Sequence, residues 1–306
     1  VTRRMFEAML DPRSIQWILI VGGVSAVLGL IIWVVSKRIF QDNVVVACTL
    51  GATTVLVLGI GTFVSLKTRF KTAGHAMTFL GCVVMPLNLW YYHAQDLVRL
   101  EDHLWIGGVV CCLLYIAMVR VLRNPLFMYA VEVGITLTVM LLLADLSVPF
   151  DSSLIAIGFM VMGLMSIHSE RMFSADEGEF RREKFGLPLF WSGHIQMGVS
   201  LMAVALLQAG DFFNRDAADH RILAAGVWLA ATYAYLYSDL VVRRVGVYVY
   251  LAALTLLASL LTLVAGFSSM EAAILVLTVT ALGANIVERK LAVEQPFSRV
   301  VAPMGV

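Results

Sequence analysis

Apolar positions along this chain do not alternate with polar ones; they run on in long blocks separated by short polar connections. Ten such blocks fall at about 14–36, 44–66, 72–92, 103–121, 125–145, 152–168, 187–209, 221–239, 245–266 and 270–288. A helix needs about 20 apolar residues to cross the hydrocarbon core of a bilayer. Inside lipid each backbone N–H and C=O must be paired within its own segment unless a barrel closes. The period of two that marks barrel strands is missing. The pattern therefore predicts an all-α fold, a polytopic transmembrane helix bundle of about ten spans.

The connections carry an orientation signal. Of the 22 Lys and Arg, 17 fall in the terminal segments and every second connection: Arg3, Arg4, Arg13; Lys67, Arg69, Lys71; Arg120, Arg123; Arg171, Arg181, Arg182, Lys184; Arg243, Arg244; and Arg289, Lys290, Arg299. The other side holds Lys37, Arg38, Arg99, Arg215 and Arg221. The positive-inside rule then puts both termini in the cytoplasm. Trp17, Trp33, Trp90, Trp105 and Trp191 lie near predicted span ends, as an aromatic belt requires. Pro125 and Pro188 suit first-turn positions, and Asp151 or Ser152 can cap the sixth helix. Small residues at helical spacing, such as Gly22, Ser25, Ala26 and Gly29, would permit close helix approach.

Composition supports the membrane reading. Hydrophobic residues make up 60% of the 306 and charged residues 14%, against about 25% in soluble domains. The net charge of +1 gives no pull toward nucleic acid, and none is expected as a partner. The expected environment is the lipid bilayer. Val1 is not methionine, so the chain is expected to begin at an alternative start or to be a piece of something longer. Thr2 to Arg13 leads straight into a full-length span, with no cleavable signal evident. One transmembrane domain over 1–306 is expected, with two five-span halves, 1–149 and 150–306, as a weaker division. Cys48, Cys82, Cys111 and Cys112 lie in or beside apolar runs without a CxxC and read as small buried packing residues.

Few residues suggest chemistry. Glu132 is the one carboxylate well inside a predicted span, about 10 Å past the start of the fifth. An ionised group there costs about 3 kcal/mol on insertion scales, so it should be protonated, paired or facing water. His194 lies seven residues into the seventh span, which runs in the same direction, so the two groups are expected at similar depth, with Gln196 nearby. Face to face they would relay protons or bind a cation; the plainer reading is a hydrogen bond that fixes packing. Pro86, deep in the third span, cannot donate and clashes with the carbonyl of Cys82, predicting a kink with Asn88 close to the freed backbone. Proline-broken helices with polar side chains build sites in transporters, although membrane helices usually accommodate proline locally. The candidate binding residues are thus Glu132, His194, Pro86 and Asn88.

The outer connection with His93, Asp96, Glu101, Asp102 and His103 has metal-compatible side chains without a ligand spacing, and reads as a solvated loop. His75 is expected to reach headgroups or water. The connection Ser169–Gly186 mixes five acidic and four basic residues and reads as a solvated loop, with a docking segment for an unidentified protein partner as the sharper alternative. No HExxH, P-loop, GxSxG or nucleotide fingerprint occurs, which points away from catalysis; no cofactor and no metal is expected.

The segments LDPRSIQWILIVGGVSAVLGLIIWV, MPLNLWYYHAQDL and FGLPLFWSGH resemble parts of large, uncharacterised multi-pass membrane proteins of planctomycete-type bacteria. The likeness runs through most of the chain and implies a bacterial inner-membrane location. It supplies no substrate and no assigned residue. The functional expectation is a non-enzymatic membrane scaffold or partner-binding module. The alternative is a secondary transporter or proton-coupled carrier with a site near Glu132 and His194, and an intramembrane enzyme acting on lipid-linked substrates stands third.

Overall fold

The computed structural model describes residues 43–100, 102–149, 152–174, 178–213, 220–243, 245–265, 274–276 and 278–282, together with Gly22, Ser25 and Gly29. Among these residues the chain forms eight α-helices: α1 (Asn43–Lys67), α2 (Lys71–Ala94), α3 (Trp105–Leu122), α4 (Leu126–Asp145), α5 (Ser153–Ser169), α6 (Leu187–Phe213), α7 (His220–Tyr237) and α8 (Val247–Ala265). A 3-10 turn follows α5 at Glu170–Met172, and π-helical turns occur at Arg182–Gly186 and Ser238–Val242. No strand occurs among the described residues, only an isolated bridge between Ser174 and Arg181. The first predicted span lies outside the described residues except for Gly22, Ser25 and Gly29, which are helical, and so do both termini. The tenth is helical over 274–276 and 278–282, its remainder lying outside.

Among the described residues seven helical segments are long and apolar enough to cross a membrane: Asn43–Lys67, Lys71–Ala94, Trp105–Leu122, Leu126–Asp145, Ser153–Met172, Arg182–Gln208 and Val247–Val264. α7 is not among them; it opens on His220 and Arg221 and carries Tyr233, Tyr235 and Tyr237. The helices turn large apolar side chains outward, including Val55, Phe63, Leu113, Met165, Leu206 and Leu254. A continuous outward display of this kind would aggregate in water and is at rest in hydrocarbon. Cys82 and Cys111 are buried, but Cys48 is exposed on α1, so the expectation that all four cysteines are buried fails there.

The chain divides into two compact units, Val1–Val148 with Phe173–Leu189, and Pro149–Met172 with Phe190–Val306. In the first, α1 and α2 pack antiparallel. A Cβ on Gly61 would stand 2.6 Å from the amide nitrogen of Thr78 and 3.1 Å from the Gly74 carbonyl oxygen, and one on Gly74 would meet the Ser65 backbone and the Gly61 carbonyl. Only glycine at both positions lets the two backbones come this close. The expected approach at Gly22 and Gly29 is not seen: both meet open space. α3 and α4 form a second antiparallel pair, with Gly108 against Thr138 and Gly134 against Tyr115. Leu58, Cys82, Tyr115, Phe127, Phe185 and Leu189 contribute to one core.

The segment after Met172 is held more firmly than a solvated loop would be. Phe185 is fully buried in that core, with Phe180 at 4.9 Å and Phe173 at 6.1 Å between ring centroids. Arg123, at the left-handed C-cap of α3, pairs with Glu179 across this segment. Glu179, Arg181, Glu183 and Lys184 are exposed and Arg182 is half-buried beside these three phenylalanines, whose rings anchor the chain.

In the second unit, Ser152 caps α5 through its hydroxyl, which accepts from the Leu154 amide at 3.2 Å. Gly163 and Gly193 bring α5 and α6 together, each lying so that a Cβ would be 2.7 Å from the other's carbonyl oxygen. The Ser200 hydroxyl donates to the Ala156 carbonyl across the same pair at 2.5 Å. α7 and α8 pair through Thr232 and Thr255 at 3.0 Å and through Ser259 donating to the Ala225 carbonyl at 2.8 Å.

Candidate functional site

Pro86 and Asn88 lie on α2, which continues unbroken from Lys71 to Ala94. Proline at 86 removes the N–H that would bond the Cys82 carbonyl. The expected neighbour, Asn88, does not serve that carbonyl: its amide donates to the Thr54 hydroxyl at 2.8 Å, and Thr54 donates in turn to the Leu50 carbonyl at 2.8 Å. The freed Cys82 oxygen is taken instead by the hydroxyl of Tyr115 on α3, at 2.5 Å. Tyr115 is 1% exposed, so the bond is made away from solvent, where an unmet carbonyl would be costly. The side-chain oxygen of Asn88, Oδ1, is buried without a partner.

Glu132 sits on α4 and is 4% exposed. It is engaged by the surrounding protein and lies within electrostatic reach of Cys112 on α3. Its own carbonyl accepts from the Thr136 hydroxyl at 2.8 Å. Pro86, Asn88 and Glu132 therefore belong to the first unit, and His194 to the second.

His194, on α6, uses both ring nitrogens within its own unit. Nδ1 is 2.8 Å from the Phe190 carbonyl, which can only accept, so Nδ1 carries a hydrogen. Nε2 is 3.2 Å from the Ser238 hydroxyl, and that hydroxyl is also 2.7 Å from the Ala234 carbonyl. A hydroxyl has one hydrogen to give. When Ser238 gives it to Ala234, Nε2 needs a proton of its own to bond Ser238; when Nε2 is bare, the hydroxyl must turn to it. The imidazole and the first residue of the π-helical turn Ser238–Val242 are thus linked by one proton position. Phe190, Tyr248 and Tyr235 surround the ring at centroid distances of 4.4, 5.2 and 6.0 Å. The Arg243 guanidinium lies 6.0 Å over Phe190, and Asp239 is occupied by the Val245 amide at 2.9 Å.

A second imidazole repeats the arrangement. His168, at the end of α5, gives Nδ1–H to the Leu164 carbonyl at 2.8 Å and pairs through Nε2 with the Tyr233 hydroxyl at 2.9 Å. It stacks on Tyr237 at 4.4 Å. Farther along α6, Gln208 accepts from the Trp228 indole at 3.1 Å and donates to the Thr262 hydroxyl at 2.8 Å, tying α6, α7 and α8 together.

The remaining polar candidates are structural in form. His75 is 3.1 Å from the Asn124 side chain and sets its ring edge-on to Phe127, so it does not simply reach out to headgroups. In the connection between α2 and α3, His103 binds Asp145 through its amide and its ring, and Arg99 pairs with Asp96 at 3.5 Å; Glu101 lies outside the described residues. Among the described residues no group of three or more His, Cys, Asp or Glu is placed to hold a metal ion.

Sequence reasoning missed Tyr115, Thr54, Ser238 and Gln208. Pro86 signalled that the Cys82 carbonyl needed a donor, but nothing in the local sequence selected Tyr115, 33 residues away. No protein family, curated protein or solved structure matches this chain.

Proposed function

We propose that this chain is a multi-pass integral membrane protein acting as a non-enzymatic scaffold or partner-binding module. Its proposed setting is a bacterial inner membrane, with ten spans and both termini cytoplasmic. The observation that carries the reading is the commitment of polar groups to packing. Asn88 is spent on Thr54, Tyr115 on the Cys82 carbonyl, and Gln208 on Trp228 and Thr262. In membranes such bonds hold helices together where hydrophobicity cannot. The partner surface in this reading is the outward side of the segment following α5, where Arg171, Met172, Glu179 and Arg181 are exposed while the phenylalanines anchor it. The bacterial location rests on the sequence resemblance alone.

A second reading, a secondary transporter or proton-coupled carrier near Glu132 and His194, draws support from a carboxylate buried inside an apolar helix and from the one hydroxyl proton of Ser238 for which the Ala234 carbonyl and an unprotonated His194 Nε2 compete. Reconstituted vesicles separate the two. With an imposed membrane potential and an internal pH dye, the scaffold reading expects the same proton flux from the parent, Glu132→Gln and His194→Gln. A flux present in the parent and lost in a normally folded Glu132→Gln variant would overturn it.

A further inference from the structure

His75 stands at the second turn of α2, half-buried, with its Nδ1 3.1 Å from the side-chain nitrogen of Asn124 in the connection between α3 and α4. The chain itself fixes which end of that amide faces the ring. The Asn124 side-chain oxygen accepts from the Leu126 amide at 3.0 Å, at the start of α4, so the NH2 end is the one turned to His75. An NH2 group can only donate. His75 Nδ1 is therefore bare, with the ring hydrogen on Nε2. This is the reverse of His168 and His194, whose Nδ1 atoms each face a carbonyl.

We propose that His75 and Asn124 form an acid-released latch between the start of α2 and the α3–α4 connection. A proton arriving at Nδ1 turns the acceptor into a donor and sets two donors face to face. Asn124 cannot answer by turning its amide over, because its NH2 would then meet the Leu126 N–H and leave that donor without an acceptor. The elements packed around the ring bring no carboxylate to hold an imidazolium. Phe127 of α4 meets it edge-on at 6.4 Å, and Gly61 and Ser65 of α1 pack against the adjacent Gly74. Arg123, beside Asn124, is taken by Glu179. Lys71, one turn earlier on α2, is the charge within electrostatic reach of His75, and it repels a protonated ring. The link is thus present while His75 is neutral and is lost as pH falls through the imidazole's titration. Release frees the first turns of α2 from the α3–α4 pair, while the glycine contact at Gly74 still holds them to α1.

The test uses the full chain in mild detergent. Nitrogen NMR of histidine-labelled protein at about pH 8, above an ordinary histidine's titration, should show His75 with Nδ1 bare and Nε2 protonated. Thermal unfolding is then compared at about pH 8 and about pH 5.5, either side of that titration. Acidification should lower the midpoint of the parent by about 2–4 °C more than that of His75→Gln, the shift expected for one lost hydrogen bond. Asn124→Asp keeps an acceptor for Leu126 and turns a second oxygen to the ring, so acid should strengthen its link. Measured against the double variant His75→Gln, Asn124→Asp, its midpoint should rise on acidification. A hydrogen on His75 Nδ1 at the higher pH, a parent no more acid-sensitive than His75→Gln, or an Asn124→Asp response of unchanged sign would each overturn the proposal.

Discussion

The hydroxyl of Tyr115 stands 2.5 Å from the carbonyl oxygen of Cys82, the oxygen that Pro86 leaves without a helical donor. A side chain on α3 thereby repairs a defect written into α2. The repair explains how α2 runs through its proline without an orphaned carbonyl in the core of the first unit.

Tyr115→Phe removes the hydroxyl and leaves that carbonyl unmet. The expected loss is about 1–3 kcal/mol, the cost of a buried polar group without a partner. Pro86→Ala restores an N–H at the position that bonds Cys82. The double variant should therefore lose less than Tyr115→Phe alone, with coupling above about 0.5 kcal/mol. Equilibrium unfolding in mixed micelles measures all three; additive losses would show that the two residues do not share the carbonyl.

The α1–α2 contact should depend on Gly61 and Gly74 and be indifferent to Gly59. An added methyl at Gly61 or Gly74 runs into backbone atoms that cannot step aside, so each Gly→Ala change is expected to cost about 1–3 kcal/mol. Gly59 has open space at the same atom, and Gly59→Ala should be neutral or stabilise by up to about 1 kcal/mol, since alanine gives up less backbone freedom. Thermal unfolding in detergent ranks the three variants.

The segment after Met172 is expected to be released by one ring and not by one charge. Phe185→Ala empties a fully buried site and should cost about 3–5 kcal/mol, releasing the segment so that trypsin cuts faster at Arg181 and Arg182. Arg123→Ala breaks the exposed pair with Glu179 and should cost no more than about 1 kcal/mol. Limited proteolysis that is faster in Arg123→Ala than in Phe185→Ala would reverse this account.

His194 and His168 should both carry a hydrogen on Nδ1, because each Nδ1 faces the carbonyl four residues before it. Nitrogen NMR of selectively labelled protein reads this from the ring shifts. Ser238→Ala should alter the His194 signals and leave those of His168 in place, as His168 bonds Tyr233 instead.

Much of the architecture is legible in the sequence. The run at 125–145 is the helix Leu126–Asp145, 44–66 is Asn43–Lys67, and 152–168 is Ser153–Ser169 with its serine cap. Such runs are readable because a helix in lipid must be long and apolar along its whole length. The candidate site was less legible. Asn88 was expected at the backbone that Pro86 frees, yet it turns to Thr54, because the facing surface of α1 places a hydroxyl within 2.8 Å of its amide. By its charges the segment 169–186 reads as a solvated loop, but Phe173, Phe180 and Phe185 pack into the core of the first unit.

By itself the sequence determined the solvent and the elements: hydrocarbon, met by long apolar helices with basic residues concentrated in alternate connections. Hydropathy is a sum over neighbours in the chain, so it needs no knowledge of the fold. Which helix meets which, and so which hydroxyl repairs the Cys82 carbonyl and which serine answers His194, only the tertiary structure decided. A hydrogen bond depends on a few tenths of an ångström between residues far apart in sequence, and those distances are set by where glycines let two backbones close together.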